Sequence, residues 1–191
     1  MQTTLYNFGD SLEKIEKEIK ECKKCPLYKT RKNAVPGEGG FQRRIMFVGE
    51  APGRREDELG RPFVGAAGKF LDELLASIGL SRKDVYITNI VKCRPPGNRD
   101  PTDEEIKLCS PYLDRQIAIM KPRIICPLGR FSAKYILEKF GFEMGKISKI
   151  QGKVFEGNIL ILPMYHPAAA LYHQNLKSEL YKSFEVLKSL L

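Results

Sequence analysis

The chain has 191 residues, of which 42% are hydrophobic, so it can bury one sizeable core and a single domain over 1–191 is expected. No apolar run reaches the length of a membrane span and the N-terminus is too polar for a secretory signal, so we expect a cytoplasmic protein without a membrane partner. The net charge of +9 favours a polyanionic partner such as nucleic acid, although basic and acidic residues are mixed along the chain, as on an ordinary solvated surface.

Helical and apolar patterns alternate along the chain. Leu12, Ile15 and Ile19 share one helical face, which predicts a first helix that runs into Cys22. Short apolar runs predict four strands, over residues 45–48, 85–91, 123–129 and 159–162. Helical periodicity predicts a helix after each strand, and a small hairpin is expected within 141–158. The alternation predicts an α/β fold in which helices cover both faces of a mostly parallel sheet.

A loop rich in glycine and proline, GEAPG at 49–53, follows the first predicted strand, and Glu56 lies shortly after it. Open α/β sheets bind ligands beyond the carboxyl ends of their strands. Glycines there let backbone groups approach a flat ligand, and carboxylates such as Glu50 and Glu56 supply acid–base chemistry. An ordinary strand-to-helix connection has a similar composition, so this loop alone leaves both interpretations open.

Three polar side chains lie at or near the ends of predicted strands: Glu50, Asn89 and His166. Because parallel strands end at one edge of a sheet, these side chains are expected to converge on one crevice, with Phe63 covering it. An amide, an imidazole and an aromatic ring suit a nucleobase, since the amide binds its edge and the ring stacks on its face. Each residue also has a purely structural interpretation: Asn89 as a backbone cap, Phe63 as core and His166 as a structural histidine.

The spacing of the five cysteines suggests a metal site. Cys22 and Cys25 form a C-x-x-C pair, whereas Cys93 and Cys109 stand well apart from it and from each other. Cys126 lies inside an apolar run and is predicted to be buried. Four thiolates suit either a structural zinc ion or an iron–sulfur cluster, and the spacing leaves that choice open.

Five motifs carry a family resemblance: GEAPG at 49–53, ED at 56–57, GRPFVG at 60–65, TNIVKCRPP at 88–96 and HPAAAL at 166–171. They resemble the family 4 uracil-DNA glycosylases, the thermostable iron–sulfur branch of the uracil-DNA glycosylase superfamily. The resemblance implies a three-layer α/β/α sandwich on a four-stranded, mostly parallel sheet. It implies release of free uracil from single- or double-stranded DNA, which leaves an abasic site and starts base excision repair. It also implies a [4Fe–4S] cluster, rather than zinc, on Cys22, Cys25, Cys93 and Cys109.

The resemblance further implies roles for individual residues. Asn89 matches the amide that recognises the base, Phe63 the ring that stacks on it and His166 the donor to a uracil carbonyl. We place Glu50 with Asn89 and His166 in catalysis. The remaining base-binding residues are expected in the first loop and just after it, at Gly49, Ala51, Gly53 and Glu56.

Contacts to DNA are expected from two other segments. The stiff basic loop over 92–101 supplies Arg94 and Arg99 as candidate phosphate contacts. Three alanines follow the last His-Pro pair. The side chain that wedges into the base stack of the DNA is therefore expected to be Leu171, or the wedge is weak.

Gln2, Leu5 and Phe8 have the spacing of peptides that dock on DNA sliding clamps, and the resemblance implies such a partner. We therefore treat residues 1–9 as a flexible clamp-binding segment of a monomeric glycosylase, the alternative being that Leu5 and Phe8 pack on the enzyme's own helices.

Several alternatives remain at this stage. Ala51 stands where the best-known branch of the superfamily has an aspartate that positions water, so Glu50 or Glu56 takes that task or the reaction relies on stabilising the leaving group. A glycosylase for hypoxanthine or mismatched thymine would share the same motifs. A non-catalytic nucleic-acid-binding module with a structural zinc ion would share the basic surface and the cysteines.

Overall fold

A computed structural model of the protein describes residues 9–191, and the predicted clamp-binding motif of Gln2, Leu5 and Phe8 lies outside the described residues. Within 9–191, five strands form one sheet: β1 (Glu38–Gly39), β2 (Ile45–Gly49), β3 (Val85–Asn89), β4 (Ile124–Pro127) and β5 (Leu160–Ile161). Their order is β1-β3-β2-β4-β5; the last four are parallel, and β1 pairs antiparallel with β3. The four predicted strands are confirmed. The edge strand β1 corrects the expected strand count, because two residues are too few to form an apolar run.

The helices in the described part of the chain are α1 (Leu12–Glu21), α2 (Arg54–Leu59), α3 (Ala66–Ser77), α4 (Asp103–Met120), α5 (Arg130–Lys139), α6 (Ile147–Ile150), α7 (Pro167–Ala170) and α8 (Gln174–Ser189). The longer helices α1, α3, α4, α5 and α8 confirm the predicted ones, and α4 begins at a capping box formed by Thr102 and Glu105. The short helices α2, α6 and α7 were not predicted, since they span too little of the helical period. No helix in residues 9–191 is both long and apolar enough to cross a membrane.

The sheet lies between two layers of helices, as the alternation along β2 shows. Ile45 and Phe47 face α3 and α8, and the Phe47 ring stacks on Phe184 with centroids 5.7 Å apart. Met46 and Val48 face the opposite side and pack against α4 and α5. All four strand residues are fully buried, as expected for a central parallel strand. The protein therefore has the predicted α/β/α sandwich.

A third hydrophobic cluster lies apart from the two that sandwich the sheet. Ile15 and Ile19 of α1 pack there with Tyr112 of α4 and with the four cysteines of the predicted metal site. Arg115 of α4 reinforces this contact, because its Nη2 donates to Oε1 of Glu18 in α1 at 3.1 Å and to Oδ1 of Asp10, just before that helix, at 2.6 Å. Helix α1 is thus joined to α4 next to the predicted metal ligands.

Candidate active site

Residues from three parallel strands meet at one edge of the sheet. Asn89 ends β3, where it lies opposite Gly49 at the end of β2. His166 follows β5, and Glu50 directly follows β2. Glu50, Asn89 and His166 line one cavity of about 320 Å³. Other predicted site residues on its wall are Ala51, Gly53, Glu56, Phe63 and Arg99. The structure therefore brings the residues chosen from strand ends into a single crevice.

Asn89 presents a buried amide oxygen to the cavity. The residue is 2% exposed, and its Oδ1 accepts no hydrogen bond from residues 9–191. A buried acceptor left without a partner costs roughly 1–3 kcal/mol, so such an atom points to a ligand that supplies a donor. Gly49 makes room for this oxygen and for the neighbouring Phe63 ring, since a Cβ atom at position 49 would overlap Asn89 Oδ1 and lie 2.8 Å from the ring.

Phe63 and His166 form a pair of stacked rings in the cavity wall. Their centroids are 5.5 Å apart and their planes are inclined by 25°. Phe63 has a φ of +51°, in the left-handed region that bulky residues rarely adopt. The flat ring beside the Asn89 amide gives the cavity a stacking surface and a hydrogen-bonding group next to each other.

His166 is set up as a neutral hydrogen-bond donor. Its Nδ1 accepts the backbone N–H of Ala168 at 3.1 Å. Burial lowers the pKa of His166 to about 4, an effect that outweighs the opposing influence of the nearby Glu56 carboxylate. The imidazole is therefore neutral at pH 7, and since Nδ1 is an acceptor, the proton is on Nε2.

The two acidic residues near the first loop have different surroundings. Burial and the charge of Asp100 raise the pKa of Glu50 to about 7, although Arg130 lowers it. Glu56 instead anchors the chain, since its Oε1 accepts the consecutive backbone N–H groups at 64–65, at 2.8 and 2.9 Å. Glu50 can therefore exchange a proton near neutral pH, as a general base must, whereas Glu56 has a positioning contact.

The predicted DNA contacts lie at the cavity rim or beyond it. Arg99 lines the cavity, and its guanidinium makes two parallel hydrogen bonds to Glu105, at 2.7 and 2.9 Å. Arg94 donates to Asn98 at 2.6 Å and is not part of the cavity wall. Leu171 is also outside the wall and is 44% exposed directly after α7.

The four predicted ligand cysteines, Cys22, Cys25, Cys93 and Cys109, line a second, smaller cavity beside α1 and α4. Two N–H groups reach their sulfurs: Arg31 Nη1 donates to Cys93 at 2.9 Å, and the backbone N–H of Lys92 donates to Cys109 at 3.2 Å. Burial raises the pKa of Cys109 to about 12 and raises that of Cys93 as well. Thiolates in such a place require a compensating positive charge, which a metal centre supplies. In residues 9–191, no three His, Cys, Asp or Glu side chains converge on the position of one ion.

Comparison with known proteins identifies the family. Residues 36–188 match the family model of the Uracil DNA glycosylase superfamily. The chain belongs to this superfamily. It is 56% identical over 187 residues to the Type-4 uracil-DNA glycosylase of Sulfurisphaera tokodaii, and this match covers 95% of this chain and 85% of that relative. The Type-4 enzyme of Saccharolobus solfataricus is 52% identical over 188 residues, a match that covers 95% of this chain and 87% of that relative. The Type-4 enzyme of Archaeoglobus fulgidus is 51% identical over 186 residues, and the match covers 95% of this chain and 94% of that relative.

Two features of this superfamily member were not predicted from its sequence. Lys92, assigned to a basic loop, is 1% exposed, and its Nζ donates to Thr88 Oγ1 at 2.6 Å, Asn89 O at 2.8 Å and Gln116 Oε1 at 2.8 Å. Its position directly after an apolar run was a usable signal. Tyr172, next to the candidate wedge, is 84% exposed, and nothing in its local pattern predicts this.

Proposed function

We propose that this chain hydrolyses the N-glycosidic bond of uracil in DNA, releasing free uracil and leaving an abasic site as the first step of base excision repair. The observation that carries the proposal is the buried Oδ1 of Asn89, which accepts no hydrogen bond from the described part of the chain and lies in a cavity with a flat ring and a neutral imidazole donor. Relatives that are 51% and 56% identical over 95% of the chain are named uracil-DNA glycosylases, which supports the same substrate.

Asn89 suits the edge of uracil. Its amide offers an acceptor to the N3–H group and a donor to the O4 atom, which is the complement that uracil requires. Phe63 lies close enough to the amide for a base to stack on the ring while its edge reaches Asn89. Because the base enters such a pocket only when it is out of the DNA stack, the proposal includes flipping of the nucleotide.

His166 suits the departing base. Breaking the glycosidic bond leaves negative charge on the uracil ring and positive charge on the sugar, so a donor aimed at a uracil carbonyl binds more strongly in the transition state than in the ground state. A neutral imidazole with the proton on Nε2 provides that donor across the physiological pH range. We assign leaving-group stabilisation to this residue.

Glu50 suits the attacking water. Ala51 has no polar side chain, and Glu56 is occupied by two backbone N–H groups. Glu50 lines the cavity with a pKa of about 7, so its ionised form is available as a base. We propose that this carboxylate takes a proton from water as oxygen bonds to the sugar carbon and the bond to uracil breaks.

Contacts outside the cavity would hold the DNA. Arg94 and Arg99 supply positive charge for backbone phosphates, and the Arg99 side chain remains 44% exposed despite its pairing with Glu105. Leu171 and Tyr172 present exposed apolar surface after α7. We propose that these two side chains support the bases next to the flipped nucleotide.

We assign a [4Fe–4S] cluster to Cys22, Cys25, Cys93 and Cys109. Four cysteine thiolates are the ligand set that such a cluster requires, and these four cysteines line one cavity beside α1 and α4. Hydrogen bonds to the sulfurs, as from Arg31, are a usual feature of such sites. When bound, the cluster supplies a cross-link between α1, the loop after β3 and α4.

We also propose a sliding clamp as partner, through Gln2, Leu5 and Phe8. One helical turn would put Leu5 and Phe8 on the same face, and tethering would raise the local concentration of the enzyme on DNA. Residues 1–9 would then serve a monomeric, single-domain glycosylase as a docking segment. Clamp affinity should fall when Leu5 and Phe8 are changed to Ala, and unchanged affinity would refute this partner.

The function is tested by base release from oligonucleotides that carry one uracil, one hypoxanthine or one mismatched thymine. We expect free uracil from single- and double-stranded substrates, without metal added to the medium, and much less of the other two bases. Preferential release of hypoxanthine or thymine would change the substrate, and release of no base would refute the glycosylase assignment.

A further inference from the structure

Phe63 owes the position of its ring to an unusual backbone conformation. The residue lies in a loop and has a φ of +51°, a backbone conformation that is strained for a non-glycine residue. Helix α3 begins at Ala66, and Gly68 in its first turn packs so closely that a Cβ atom there would overlap the Phe63 carbonyl oxygen. Such a conformation persists only where surrounding groups determine it.

Arg82, in the connection between α3 and β3, makes the contacts that determine it. Its Nη2 donates to the carbonyl oxygen of Phe63, and its Nη1 donates to that of Pro62 at 3.0 Å. Two carboxylates fix the guanidinium in turn: Asp72 accepts from Nε at 2.6 Å, and Glu38 accepts from Nη1 at 3.0 Å. The Arg82 side chain is 20% exposed, so these bonds are partly shielded from water.

The same loop is held from its other side by Glu56, which accepts the backbone N–H groups at 64–65. The segment 62–65 is thus bound by a cation through its carbonyl oxygens and by an anion through its N–H groups. Arginine suits the first task because its planar fork directs several N–H donors at once, whereas lysine has a single nitrogen.

We propose that Arg82 is a positioning residue for base excision, which holds the Phe63 ring at the cavity so that a base stacked on it meets Asn89. Arg82 does not line the cavity, so it acts through Phe63. The inference rests on the proposed function, because it takes the Phe63 ring as the surface on which the flipped base stacks.

The test compares single-turnover release of uracil by the full-length Arg82→Lys and Arg82→Met variants with that of the wild type, at saturating enzyme. We expect the rate of uracil release to fall roughly tenfold in each variant. A change of this size corresponds to the strain of one non-glycine residue in the left-handed conformation, which would relax once Arg82 no longer holds the loop. Arg61→Met is the matched control: Arg61 bonds the same Glu38 at 2.7 and 3.0 Å but neither loop carbonyl, and it is 60% exposed. Its rate should equal that of the wild type.

A double-mutant cycle separates positioning from a general structural role. If Arg82 acts through the ring, adding Arg82→Lys to Phe63→Ala lowers the rate little further, whereas an independent role lowers it by the same factor in both backgrounds. Should Arg82→Met not fold, Arg82→Lys and Asp72→Asn, which loosen the fork but keep the positive charge, give the same comparison. Additive effects, or a wild-type rate in Arg82→Lys, would overturn the inference while wild-type uracil release still stood. Failure of the wild type to release uracil would count against the proposed function instead.

Discussion

Gly49 and Asn89 lie opposite each other at the ends of two neighbouring parallel strands, and the absence of a side chain at 49 makes room for the Asn89 amide oxygen and the Phe63 ring. The strand register therefore sets the position of the recognition group. A side chain at position 49 would displace the Asn89 amide and the Phe63 ring together.

Gly49→Ala should abolish or severely reduce uracil release while the fold is retained. The added methyl group would overlap Asn89 Oδ1 and press on the Phe63 ring. Gly157→Ala is a suitable control, since a Cβ atom there meets the Phe142 ring at 3.5 Å and the Ile159 carbonyl oxygen at 3.7 Å, both ordinary contacts. Base release and thermal melting of both variants check the prediction. A fully active Gly49→Ala enzyme would show that uracil release does not depend on the observed positions of Asn89 and Phe63.

Asn89→Asp should gain some release of cytosine and lose part of its uracil release. A carboxylate accepts hydrogen bonds but cannot donate to O4 of uracil, whereas it can accept from the exocyclic amine of cytosine. The measurement is base release from matched oligonucleotides that contain one uracil or one cytosine. Uracil release at the wild-type rate by this variant would remove Asn89 from base recognition.

The rate of uracil release should rise with pH through about 7 and then level off. Glu50 has its pKa raised to that value, and only the ionised carboxylate can accept a proton from water, so the active fraction grows as pH increases. His166, with a pKa of about 4, stays neutral over this range and adds no second inflection. Single-turnover rates at pH 5.5 to 9 test this for the wild type and for Glu50→Gln. The variant should be slow and lack the inflection, and an unchanged profile would exclude Glu50 as the base.

Cys93→Ala should lower both iron content and thermal stability. Cys93 lines the proposed cluster site after β3, and loss of a ligand removes part of the cross-link to α1. Cys126→Ala is the matched control, because Cys126 is fully buried in β4 and does not line that site. Its iron and acid-labile sulfide should equal those of the wild type. Stoichiometric zinc without sulfide in anaerobically prepared wild-type protein would contradict the cluster assignment.

Local pattern was enough to predict the four parallel strands and to select the candidate catalytic residues, although not the edge strand β1. The apolar run of β2 ends abruptly before Glu50, whereas the strand predicted over 85–91 ends at Asn89, two residues earlier than expected, so both polar residues lie at the carboxyl edge. His166 follows the last apolar run in the same way. These signals are short-range, and the parallel topology then brings the strand ends together at one edge of the sheet.

The parts that could not be predicted depend on long-range contacts. The backbone of Phe63 is held by Arg82, and Arg82 is fixed by Asp72 and Glu38 from two other segments. Local hydrophobic periodicity cannot predict contacts between segments that are distant in the sequence. Lys92 can be buried because the distant Gln116 accepts one of the hydrogen bonds that its ammonium group donates. Charged residues like these are normally solvated, so sequence pattern assigns them to the surface by default.

The most direct test of the account is the single-turnover rate of uracil release by Asn89→Ala and His166→Ala, measured together with their affinity for uracil-containing DNA. The contacts of both side chains are assigned to the base and its transition state, so each rate should fall roughly a hundredfold or more while DNA affinity changes little. A rate close to that of the wild type in both variants would contradict the assignment of this cavity as the site of uracil excision.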